Sequence, residues 1–237
     1  MPAAAPDRPI VQCMALPPPA TDDALFAALQ REGPMNLARA VEVMERHGLD
    51  GLVLGQPVNV FHALGYWPQI ARTRAGQPPG EFALIASTRP GEWVLVTSRF
   101  LHYYTWSDGR QRDDVACYTY GELGDAGDFA VPALTPLCHD RGTEPLSMIE
   151  AHRAQATARQ HMCDSGAALV TAMRDMGLFS GRIGFDDPLI AEVMARHDHP
   201  GEAIPADNIL REVRLKKSPL EVQLMARAAE ANAAALM

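Results

Sequence analysis

The sequence lacks the motifs by which many functions announce themselves. Its four cysteines, Cys13, Cys117, Cys138 and Cys163, are widely scattered and form no C-x-x-C pair, so a zinc or dithiol redox centre has no support. They read as reduced thiols used as small apolar fillers. No apolar run approaches the length of a membrane span. Basic residues are in deficit, 21 Lys and Arg against 29 Asp and Glu for a net charge of −8, with no compensating basic stripe. Such a surface repels phosphate backbones and argues against nucleic-acid binding. There is no G-x-G-x-x-G, no P-loop, no G-x-S-x-G elbow at Ser165–Gly166 and no internal repeat. The first twenty residues have neither a basic start nor an unbroken apolar stretch, so no secretory signal is read and a cytoplasmic location is expected.

What is present is the patterning of a folded α/β protein. Hydrophobic residues make up 47% of the 237 residues and charged residues 21%, enough apolar side chain for a sizeable core. Residues 1 to 34 are Pro- and Ala-rich and read as an arm, with a short helix over Asp22 to Arg31. Asn36 is placed to cap a helix through His47, with Gly48 after it. GLVLG, from Gly51, reads as a buried strand, and Pro57 opens a short helix closed by Gly65. Phe82–Ser87 and Trp93–Thr97 flank a Pro-Gly turn and predict an antiparallel hairpin. Val115–Tyr120 is a further strand, and Gly121 to Thr143 reads as loop. A long helical region is expected over Leu146 to Met176, broken near Ser165. Then come strand Arg182–Asp186, a helix from Pro188, an extended Ala203–Pro205 and a helix capped by Asp207. Alternating strands and helices, with one hairpin, predict a mixed sheet with helices on both faces.

The last segment is the most specific. Ser218, Pro219 and Glu221 form a capping-box pattern, and the following stripe through Leu224, Met225, Ala228, Ala229 and Leu236 would pack closely on another surface. That helix starts on a clear signal and carries none at its end, which is read as a chain cut inside a longer protein.

Two stretches carry a resemblance. IGFDDPLIAEVM from Ile183, then ILREVRLKKSPLEVQLMARAAEAN from Ile209 to Asn232, resemble the creatinase/prolidase/aminopeptidase P family, with the junction at Arg214, Lys217, Ser218, Pro219 and Glu221. Leu49 to Tyr66 is similar to the family's opening of strand, Pro/Asn, short helix and Gly. The resemblance implies a non-catalytic N-terminal domain over residues 35–214 and a junction with the first helix of a "pita-bread" catalytic domain over 215–237. In the family's metal-dependent branch two Asp, one His and two Glu hold two divalent ions, Mn, Co or Zn, and a bridging hydroxide attacks the scissile carbonyl. Residues 222–237 offer one acid, Glu230, and no His, so this chain is expected to hold no metal and to be inactive alone. The implied parent is an Xaa-Pro peptidase acting on a small peptide or amide as a homodimer. The alternatives are a creatinase-like amidinohydrolase and a pseudo-enzyme protein-binding module. By the same resemblance the stretch Gly65 to Gly76 reaches a neighbouring subunit's active site, where Arg72 or Arg74 would meet a substrate carboxylate and Trp67 would wall the pocket.

Other polar clusters read more simply. His197, Asp198 and His199 suit a loop after a helix, Asp113 and Asp114 a solvated turn, and Tyr103, Tyr104 and Trp106 an aromatic cluster beside a strand.

Overall fold

The computed structural model describes residues 20–68, 77–102, 112, 114–121 and 159–236. The first helices are α1 (Asp22–Leu29), α2 (Leu37–Arg46) and α3 (Pro57–Leu64). Later come α4 (Ser165–Asp175), α5 (Pro188–Arg196), α6 (Asp207–Arg214) and α7 (Pro219–Ala235). The strands are β1 (Gly51–Leu54), β2 (Phe82–Ala86), β3 (Trp93–Ser98), β4 (Val115–Tyr120), β5 (Gln160–Met162), β6 (Arg182–Phe185) and β7 (Glu202–Pro205). They form one seven-stranded sheet in the order β5-β4-β3-β2-β1-β6-β7. β2 runs antiparallel to both of its neighbours, and every other pairing is parallel.

The sheet is buried on both sides because β1 and β2 are apolar at every position, and β3 from Trp93 to Val96, rather than at alternate ones. Period-two geometry then divides the side chains. Leu52, Leu54, Ala83, Ile85 and Leu95 face α2, α3 and α6, whereas Val53, Phe82, Leu84, Val96 and Ile183 face α4 and α5. Gly184 of β6 lets α6 approach, since a Cβ there would stand 2.8 Å from Leu52 Cδ2 and 3.1 Å from Ala206 Cβ. The edges are blunted: β5 has three residues, and β7 exposes Glu202 and ends in Pro205.

The helix signals act as read. Asn36 Oδ1 accepts from Arg39 N at 3.1 Å, and Gly65 ends α3 in the left-handed region at φ 71°. Ser218 and Glu221 make both bonds of the capping box. Two expectations are corrected. The helical region expected from Leu146 to Met176 contains a strand, because β5 pairs with β4 and Asp164 starts a separate helix by accepting from Ala167 N at 2.8 Å. Ala206, not Asp207, is the N-cap of α6, and Asp207 is its first residue. Residues 146–158 and the loop read over Gly121 to Thr143, apart from Gly121, lie outside the described residues. Among the described residues no helix is long and apolar enough to cross a membrane.

Candidate functional site

At the carboxyl ends of β1 and β6 the chain turns to opposite faces of the sheet: α3 follows β1 on one side, α5 follows β6 on the other. Open α/β sheets tend to place polar chemistry at such a divergence. Here it is filled by a side chain of the protein itself. Asp186 accepts from Gly55 N at 2.8 Å, Gln56 N at 3.0 Å and Asn59 Nδ2 at 2.7 Å, and Gln56 Nε2 donates back to its carbonyl at 2.8 Å. The carboxyl is buried, and burial pushes its pKa up against the opposing pull of these donors. Neighbouring Asp187 turns the other way and caps α5 through Leu189 N at 3.0 Å.

The polar chain continues from Asn59. Its Oδ1 accepts from Arg214 at the end of α6, and Lys217 donates to the Arg214 carbonyl. One turn along α3, His62 Nε2 donates to Glu221 Oε1 at 3.0 Å, both side chains being about nine-tenths buried. Glu221 Oε2 accepts from Ser218 N at 2.8 Å, and Ser218 Oγ donates to the Pro34 carbonyl at 2.5 Å. Burial holds the His62 imidazole below its ordinary pKa; Glu221 pulls it up, and Arg214 and Lys217 push it further down. His62 Nδ1 is buried with no hydrogen-bond partner, as suits a neutral ring carrying its proton on Nε2. Three segments far apart in sequence, GLVLGQPVNVFH, IGFDD and RLKKSPLE, thus meet in one buried polar seam. Its effect is to fix the first turn of α7 against α3. Farther along, Arg227 forks onto Asp22 at 2.7 and 2.8 Å and Gln223 accepts from Ala20 N at 2.8 Å, tying α7 to α1. Beyond these contacts α7 is exposed, including Met225 and Leu236.

Beside the seam lies an apolar cleft of about 250 Å³ over β3 and β4, lined by residues of α1 and α3. Its floor is Leu95, Val115 and Cys117. One wall is Phe26 and Leu29 of α1, and the other is the end of α3 with Phe61, Tyr66 and Trp67. Phe61 and Trp67 pack at a centroid distance of 6.0 Å, and the indole is 56% exposed at the rim. Arg112 reaches in beneath. Its Nε donates to Asp114 Oδ1 at 2.8 Å, its second fork nitrogen to Asp114 Oδ2, and Nη1 to the Leu64 carbonyl at 3.0 Å. The Cys117 thiol, buried in the floor, is pushed up to about 12, which leaves it unreactive near neutral pH.

Of the residues read as candidates, Trp67 stands at this cleft, while Arg72 and Arg74 lie outside the described residues, as do Tyr103, Tyr104, Trp106 and Asp113. Asp114 is half-exposed and paired with Arg112. His197 caps the end of α5, and Asp198 follows in the left-handed region at φ 55°. His199 packs edge-on to Phe179. Among the described residues no three His, Cys, Asp or Glu side chains stand together as a metal site. Sequence reasoning missed Asp186 as the hub of the seam and Arg112 as the charged group of the cleft. Asp186 was visible only as the acid after an Ile-Gly strand.

No family model matches the chain, and no curated protein matches it. Among solved structures, a dipeptidase from Pyrococcus horikoshii OT3 is similar at a TM-score of 0.44 and 12% identity, over 78% of this chain and 38% of that one. This chain thus spans well under half the length of that enzyme.

Proposed function

We propose that the chain is the non-catalytic α/β domain of a two-domain hydrolase of the creatinase/prolidase kind, with an Xaa-Pro peptidase as the parent. Its work is to hold α7 as the rigid entry to a catalytic domain and to shape access to the active site within a homodimer. The observation that carries this reading is the seam. Asn59, His62 and Asp186 of the domain body engage Arg214, Ser218 and Glu221 of the junction, so the residues of the resemblance are those that set where α7 leaves the sheet. A largely buried network of directional polar bonds fixes geometry in a way an apolar contact does not.

The reading requires a second domain after α7, supplying two Asp, one His and two Glu as ligands to two divalent ions. This chain supplies none of the steps of amide hydrolysis. The test is an assay of the chain with Mn²⁺ and an Xaa-Pro dipeptide, read as proline release, beside the same assay on the protein encoded past Met237. The longer protein is expected to turn over and this chain not to. Turnover by the chain alone would overturn the proposal. A His-based site without the five ligands downstream would assign the amidinohydrolase branch instead.

A further inference from the structure

We propose that the cleft beside Trp67 is a binding site for an uncharged aromatic ligand of one or two rings. The inference is independent of the seam and of the parent enzyme's reaction. Phe26 and Trp67, 50% and 56% exposed, stand at the rim of a cleft whose floor, Leu95, Val115 and Cys117, is almost fully buried. Exposed large aromatics over a preformed apolar hollow mark a ligand site rather than ordinary surface. The volume sets the size. An apolar cavity of about 150 Å³ accepts benzene, and this one is about 250 Å³.

The charge balance sets the chemistry. Among the described lining residues the charged one is Arg112, and its guanidinium is spent on Asp114 and the Leu64 carbonyl. An anion would have to displace Asp114, and a cation would enter against the guanidinium. Other polar groups of the described lining are engaged as well: Tyr66 Oη donates to Glu81 at 2.6 Å, Gly65 N donates to the Phe61 carbonyl at 2.7 Å, and Gln30 has a partner of its own. A neutral ring can enter without breaking these bonds, and the tilted Phe61–Trp67 corner offers it both an edge and a face.

The experiment titrates the folded chain with 2-naphthol, and in parallel with 2-naphthoate, which has the same ring system and a full charge. The indole N–H resonance of Trp67 is followed by NMR and assigned with a Trp67→Phe variant, and sedimentation velocity follows the oligomeric state. Naphthol is expected to shift that resonance saturably, with naphthoate at least about tenfold weaker. Leu29→Trp, at a half-buried position in the α1 wall, fills the cleft and is expected to abolish the shift. Phe61→Leu, which removes one ring, is expected to weaken binding about tenfold. Circular dichroism checks both folds. The proposal is overturned by the absence of a saturable shift or by equal binding of naphthoate. It is also overturned by a dimer whose dissociation is needed before naphthol can enter, which would make a second copy the occupant.

Discussion

Replacing Asp186 with Ala is the sharpest probe of the seam. It strips the acceptor from two backbone N–H groups and the Asn59 amide at once, at distances of 2.7 to 3.0 Å. Each stranded buried donor costs roughly 1–3 kcal/mol, so three give a gross loss of about 3–9 kcal/mol. Two effects reduce it: the cost of burying the carboxylate is recovered, and the vacated space can admit a water. A net loss of about 2–4 kcal/mol follows, a large share of the roughly 5–15 kcal/mol that holds a domain together. Urea unfolding at fixed pH 7, followed by circular dichroism, measures it as a fall in midpoint at unchanged slope. The pH must be fixed because burial raises this carboxyl. The part of its contribution linked to its protonation is full below the ordinary carboxylate value of 3.8 and is lost as pH rises through the raised one, while the acceptor role counted here persists at pH 7. Asp186→Asn should lose less, because one acceptor oxygen survives while its new amide meets donors. A loss below about 1 kcal/mol for the Ala variant would refute the hub role, since even one stranded donor costs that much.

Four further outcomes are expected. Gly65→Ala should cost about 1–2 kcal/mol in urea unfolding, because φ is 71° and the new Cβ would stand 2.9 Å from the Leu29 carbonyl. His62, held below its ordinary 6.5, adds stability that is complete above that value and lost as pH falls through the window beneath it. His62→Gln should flatten this part of the stability-against-pH curve, and an unchanged curve would count against it. Cys117 should resist Ellman's reagent at pH 8 in the native chain and react after unfolding, as read by mass mapping, because its thiol is buried and pushed up to about 12. If the proposed two-domain hydrolase is right, Arg72→Ala in that longer protein should raise KM, and unchanged kinetics would remove that arginine from the proposed substrate path.

Local signals were legible and distant ones were not. The capping box at Ser218 and Glu221, the Pro57 start and Gly65 stop of α3, and the Pro-Gly hairpin each depend on a few adjacent residues, and the chain obeys them. Glu221 also shows where that reading runs out. Its bond to the cap is written within four residues, but its bond to His62 spans 159 positions and exists only because α3 and α7 are brought together. Asp186 meets Gly55 across 131 positions, a pairing fixed by the register of β1 against β6. The short strand β5 was hidden because three residues carry too little periodicity to interrupt a helical pattern on either side. Trp67 was singled out for a pocket with Arg72 or Arg74. The described cation nearest its cleft is Arg112, which enters from the start of β4 and has no sequence link to Trp67.

The place of β1 in the sheet bears on how the chain is made. It pairs on one side with β2, its immediate successor, and on the other with β6. At about 5–20 residues per second on a ribosome, β6 emerges roughly 7–26 s after β1. Throughout that interval the backbone of Leu52 and Val53, destined for the centre of the sheet, presents an open hydrogen-bonding edge to the cell. A chain ending before Arg182 would carry β1 as an unpaired apolar edge, the kind of edge through which strands of different chains pair.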